Sequence, residues 1–289
     1  MSILKDNSAL VAHDAGGANH IISWLKNSEN KNFKFFFHGP ARKIFEDNFP
    51  TKTNCHSIDE VLTNVDYLIC GTGWQTTIEI ECIKEAKKRN IIVICVLDHW
   101  VNYLKRFNYK GDYFFPNKIW VTDDYAKKIS DTTFPNIPST IIENTYAKDI
   151  LSNSDELSLK KNCLLYVCEP IRSNWGKEIP GEFQAIKFFF NSLALMGYEE
   201  NIKIKFRIHP SEEFNKYDLI FKEFNKYNIT IDTDDIGTSL NKSLAVIACQ
   251  SYVLHLSIML NIKTFSSLPP NAPPSSLPHK EIVYLRELL

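Results

Sequence analysis

Residues 91–97 form an unbroken run of isoleucine, valine, cysteine and leucine, and Asp98, His99 and Trp100 follow it directly. A run this short, β-branched and apolar on both faces reads as a parallel strand covered from both sides. Parallel neighbours need long crossovers, usually helical, so one such strand commits its surroundings to an α/β layout. The rest of the first half supplies the partners. Apolar runs at 9–13, 33–37, 65–70 and 118–122 alternate with helical stretches at 20–26 and from the low seventies to about 88. This alternation predicts a parallel sheet with helices on both faces.

Between about residues 144 and 161 the chain turns polar, which reads as a linker. The alternation then restarts, with strands expected at 163–168, 202–209 and 244–249 and helices at 183–196, 217–227 and 252–260. The proline-rich segment 268–278 cannot be regular structure and is expected to wrap the surface before a short C-terminal helix. The fold class expected is therefore α/β, with two Rossmann-like doubly wound domains, residues 1–150 and 151–289, facing across a cleft. Ligands of such sheets bind at the carboxyl ends of the strands, so the loops there carry the functional argument.

Composition closes off several classes. The net charge of -1 and a charged fraction of 23% give no chain-wide attraction to nucleic acid or anionic lipid. No apolar run approaches the roughly 20 residues of a membrane span, and the N-terminus is too polar for a signal peptide. Seven cysteines show no metal-type spacing, and several sit inside strand-like runs as small hydrophobes. The expectation is a cytoplasmic protein, with peripheral association at the inner face of the membrane left open.

In the second half, three strand ends converge on a phosphate-type site. Glu169 and Arg172 follow the first strand, Arg207, His209 and Pro210 end the next, and Gln250 and Ser251 follow the last. Proline fixes its own φ and pushes the preceding residue out of helical geometry, which places His209 at a strand tip. Ser251 starts a helix, where free N–H groups favour phosphate. Arg207 shares a strand face with Lys203 and Lys205, so an ion-paired structural role is the alternative. His255, inside an apolar helix, reads as a satisfied core histidine.

In the first half, His13, Asp14, Gly16, Gly17 and Asn19 join a strand to a helix. The His-Asp pair suits acceptor binding or general-base work, and a tight turn capped by Asp14 is the alternative. Gly71, Gly73 and Trp74 form a second such loop, able to take a sugar hydroxyl or an anion with the indole as a stacking face. Asp98 is a candidate base, or an orienting partner for His99, with Lys105 and Arg106 nearby to steady an anionic substrate. Asp123 and Asp124 read as a helix cap. No metal-binding motif appears, so no metal is expected.

With its His209-Pro210 pair and the later Ser251 at a helix start, the chain resembles bacterial glycosyltransferases of the GT-B architecture. It is more narrowly similar to bacterial sialyltransferases, polysialyltransferases and the Kdo transferases of capsule synthesis. The resemblance implies a nucleotide sugar as co-substrate, with no further cofactor. It implies that His209 and Ser251 hold the phosphate of a CMP-activated 2-keto sugar acid, and that Asp98 or Asp14 is the base. It implies a glycan or glycolipid acceptor. Two features depart from that group: its acidic-acidic-glycine motif is absent, and its Ser-Ser pair is Gln250-Ser251 here. Glycerol-phosphate polymerases of teichoic acid synthesis share a similar arrangement. A nucleotide-sugar epimerase or hydrolase, or a non-catalytic binding partner, would use the same frame.

Overall fold

The apolar runs become strands, with β1 and β9 buried along their whole length and most of the others buried except at one end. The computed structural model describes residues 3–28, 31–73, 76–152, 161–171 and 173–289. The chain divides into two compact units, one ending at Asp149 and the other running from Ile150 to Leu289.

In the first unit the elements follow in order: Ser8–Ala12 (β1), Ala15–Lys26 (α1), Phe33–Phe37 (β2), Gly39–Asn48 (α2), Ile58–Leu62 (α3), Tyr67–Cys70 (β3), Ile78–Lys88 (α4) and Ile92–Val96 (β4). A small antiparallel hairpin, Asn108–Tyr109 (β5) with Asp112–Tyr113 (β6), precedes Lys118–Val121 (β7), Asp124–Thr133 (α5) and Ser139–Ile141 (β8), and Thr145–Ser152 (α6) runs through the boundary at Asp149. The six-stranded sheet is parallel throughout, in the order β2-β1-β3-β4-β7-β8. Leu10, Ala12, Ile69, Ile94 and Val96 pack on Ile21, Trp24 and Leu25 of α1. Burying each such side chain is worth about 1.5–3 kcal/mol. The Trp24 indole meets Trp120 edge-on at 5.5 Å and donates to the Glu143 carbonyl at 2.9 Å, so its polar end is satisfied inside the core.

The second unit contains Cys163–Val167 (β9), Gly181–Ser192 (α7), Lys203–Arg207 (β10), Asp218–Glu223 (α8), Asn228–Ile231 (β11), Ile236–Asn241 (α9), Ser243–Ala248 (β12), Tyr252–Met259 (α10), Lys263–Ser266 (β13) and Val283–Tyr284 (β14). Its sheet is again parallel, ordered β11-β10-β9-β12-β13-β14. Tyr166, Phe189, Phe190 and Phe206 form an aromatic core.

Both sheets have a point where the chain, having laid down one strand, places its next ones on opposite sides. In the first this falls between β1 and β3, in the second between β9 and β12. Such switch points leave a crevice at the strand carboxyl ends.

Several expectations are corrected here. The first part of the segment read as linker is helix α6, and residues 153–160 lie outside the described residues. β10 stops at Arg207, two residues short of the expected end, because Pro210 has no N–H for a ladder. The proline-rich segment is irregular but not merely superficial: Leu268 and Ala272 are buried against Ala185 and Cys249. The expected C-terminal helix is a single 3-10 turn, Leu285–Glu287. Among the described residues, no helix is long and apolar enough to cross a membrane.

Candidate functional site

At the β1/β3 switch point of the first unit, two loops and the start of α4 bring carboxylates together, and each carboxylate has a different partner. Asp14 begins α1 but makes no side-chain cap. Its Oδ1 instead lies 2.8 Å from Nδ1 of His13. A carboxylate only accepts, so it fixes the proton on Nδ1 and puts the lone pair on Nε2, the tautomer of an oriented general base, with Nε2 packed beside Gly39.

Asp98 follows β4 as expected, but Arg106 is not available to an anionic substrate. Its Nη1 donates to Asp98 Oδ1 at 2.6 Å and to the carbonyl and hydroxyl oxygens of Thr72, each at 3.0 Å. The Arg106 side chain is 7% exposed. Burial alone would raise the Asp98 carboxyl, but the Arg106 guanidinium outweighs it and holds the group below the usual carboxylate range. An acid so held is a poor proton acceptor at neutral pH. His99 stacks at a tilt on Trp100, whose ring is core and whose N–H donates to Asp123 at 2.9 Å. Asp123 also caps α5, accepting from Ala126 N–H at 2.7 Å, as its position in the sequence suggested.

Glu79, in the first turn of α4, was not singled out in the sequence. An acid there ordinarily complements the helix dipole from the surface, but this one is 2% exposed. It accepts the backbone N–H of His13 at 3.0 Å and that of Gly73 at 2.6 Å. Burial, reinforced by the charges of Asp14 and Asp98, pushes its carboxyl up to about 7 against the pull of those two N–H groups. Burial of this kind leaves no mark in the sequence beyond two nearby glycines.

Those glycines change meaning accordingly. A Cβ at Gly73 would stand 2.5 Å from Glu79 Oε2 and 2.6 Å from Asp14 Oδ2, and one at Gly16 would overlap the Asp98 carboxylate. Gly17 packs so closely on Gly71 that a Cβ would lie 3.0 Å from the Gly71 Cα. These positions make room for the chain's own carboxylates and loops rather than for an external anion. Asn19 is half-buried in the second turn of α1. Trp74 lies outside the described residues.

At the β9/β12 switch point of the second unit, the expected phosphate cradle is already filled. Glu169 accepts the backbone N–H of Gln250 at 2.8 Å, with further bonds from the amides of Cys249 and Ser251. Burial drives its carboxyl up to about 7 although these N–H groups oppose the rise. Ser251 caps α10 by accepting from Val253 N–H at 3.2 Å, which leaves its hydroxyl proton to donate. The Gln250 amide oxygen accepts from Ser276 N–H and Oγ at 3.2 and 3.0 Å.

His209 sits in the loop after β10, with Pro210 exposed beside it. Its Nδ1 accepts the Ser211 backbone N–H at 3.2 Å, so the ring in its neutral form carries its proton on Nε2, ready to donate. Arg207 is not part of this group. It donates to Asp232 Oδ2 at 2.7 Å and to the Asp234 carbonyl at 2.8 Å, beside Lys205 on the same face, the ion-paired alternative left open above. Arg172 lies outside the described residues. His255 is paired with His279 at 3.0 Å, a satisfied core histidine.

No protein-family model matches the chain, and no curated protein matches its sequence. Solved structures do match. The UDP-GlcNAc 2-epimerase of Methanocaldococcus jannaschii superposes with a TM-score of 0.61 at 12% identity, covering 97% of this chain and 90% of its own. An alpha/beta-galactoside alpha-2,3-sialyltransferase from Photobacterium phosphoreum gives 0.54 at 10% identity, covering 99% of this chain and 100% of its own. HepE of Anabaena, solved with UDP and glucose, gives 0.54 at 10% identity over 91% of this chain and 80% of its own. At such identities the likeness is one of fold: two parallel-sheet α/β units of the GT-B class.

Proposed function

We propose that this protein is a glycosyltransferase that moves a sugar from a nucleotide-activated donor to a glycan or glycolipid acceptor, with inversion and without a catalytic metal. The observation that carries the reading is the His13–Asp14 pair at the β1/β3 switch point, a base oriented by a carboxylate. The GT-B-class neighbours, which include a sialyltransferase, support it.

In the reaction, His13 Nε2 takes the proton of an acceptor hydroxyl as its oxygen attacks the anomeric carbon. Asp14 stabilises the imidazolium that forms. The bond to the donor phosphate breaks and its electrons stay on the phosphate oxygen. His209 Nε2–H and the Ser251 hydroxyl donate to that oxygen as charge builds. Asp98 is then a structural partner of Arg106, and Asp14 acts through His13. The helix amides at α10 serve the phosphate only when Glu169 gives them up. A CMP-linked 2-keto sugar acid is the specific donor that the His209-Pro210 and Ser251 pattern suggests.

A second reading is a nucleotide-sugar epimerase. The likeness of the frame to a UDP-GlcNAc 2-epimerase supports it. The two are separated by incubating CMP- and UDP-linked sugars with and without a glycan acceptor and following nucleotide release and sugar identity. Transfer predicts release that depends on acceptor and falls about 100- to 10,000-fold in His13→Ala. An altered sugar nucleotide without acceptor favours the epimerase. Binding without any turnover would overturn both in favour of a non-catalytic partner.

A further inference from the structure

The mechanism above leaves Glu79 without a task, yet it is more enclosed than Asp14 or Asp98. Its two oxygens are spent on two different loops. Oε1 takes the N–H of His13 at the end of β1, and Oε2 takes the N–H of Gly73 after β3. Gly71 and Gly73 both lack the Cβ that would stand 2.6 and 2.5 Å from those oxygens, so the space has been vacated for this carboxylate. Gly73 has a second neighbour: Asp14 Oδ2 lies 2.6 Å from the same missing Cβ. The Gly73 backbone is thus a wall on which the Asp14 carboxylate rests, while Asp14 Oδ1 holds His13 Nδ1. Burying a carboxylate is expensive unless its oxygens are fully engaged. A glutamine here could accept only one of the two N–H groups and would point its own N–H at the other.

We infer that Glu79 is a positioning residue for the His13–Asp14 pair: by tying the His13 backbone to the Gly73 loop it sets the Asp14 rotamer that keeps the imidazole proton on Nδ1. This rests on the reading of His13 as the base. The charged and titratable groups facing His13 are Asp14 beside it, Glu79 from α4, and His38 just before α2, which in turn faces Arg42. Asp98, with its Arg106, acts on Glu79 from the loop after β4.

The test is long-range 1H–15N NMR of the His13 imidazole at pH 8, in the full chain, for wild type, Glu79→Gln and Glu79→Asp. Wild type should show the Nδ1–H tautomer in excess. Glu79→Gln should at least halve that excess, because an amide cannot accept both the His13 and the Gly73 N–H. Glu79→Asp keeps the charge but is one methylene short. It should still lose tautomer preference, and it serves as the test if the glutamine variant does not fold. An unchanged tautomer ratio in a folded variant would overturn the inference, as would a wild-type ring without the Nδ1–H excess. The readout needs no sugar nucleotide, so its failure leaves the transfer reading standing. Absence of turnover with an intact NMR response refutes the transfer reading alone.

Discussion

Asp14, Glu79 and Asp98 share one end of the first sheet, yet their surroundings give them three different chemistries: hydrogen-bonded to an imidazole, enclosed by backbone N–H groups, and paired with a buried guanidinium. The sequence brought Asp14 and Asp98 forward equally, because residue type and strand-end position are all it displays. Their partners come from elsewhere in the chain and could not be read. Asp98→Asn leaves Arg106 buried without its counter-charge, so urea unfolding should show a loss of about 3–5 kcal/mol. A loss under about 1 kcal/mol would mean the pair is not structural. Gly16→Ala drives a methyl into the Asp98 carboxylate and should destabilise by about 1–3 kcal/mol in the same assay.

Elements that announce themselves as continuous apolar runs, such as β4 and β12, were legible at once. The short strands β8, β11 and β14 were not, because two to four partly exposed residues carry too little period to register. Ser251 was legible as a helix start, and Ser251→Ala should cost about 1 kcal/mol through the lost cap. The clasp between β9 and β12 was not legible, since Glu169 read as a ligand contact and proves to occupy the helix amides itself. Its carboxyl is raised to about 7 from an ordinary value of 4.5. Between those values the folded chain binds a proton that the unfolded chain has released, so this group favours folding at low pH and the benefit fades as pH rises through 7. Glu79 acts in the same direction. Thermal unfolding from pH 5 to pH 8 should therefore lose less stability in Glu169→Gln than in wild type. An identical slope in the two would contradict the assignment.

For the whole molecule, alternation along the chain was enough to expect two parallel α/β sheets. Strand order was not, and it is order that creates the β1/β3 and β9/β12 switch points where both residue clusters sit. Hydrophobic periodicity says which residues form strands but not which strands become neighbours. The resemblance to glycosyltransferases rested on His209, Pro210 and Ser251, and the GT-B-class likeness of the solved structures concerns the frame around them.

Transfer from a nucleotide-activated donor requires the second unit to receive the nucleotide's phosphate, and His209 is the residue proposed to hold it. The most direct measurement is thermal unfolding of wild type and His209→Ala with CMP, UDP, CDP, GDP and dTDP. A nucleotide at 100 times its Kd should stabilise the wild type by about 2.7 kcal/mol, and the variant should lose most of that shift. No shift with any nucleotide, or an equal shift in the variant, would contradict the claim.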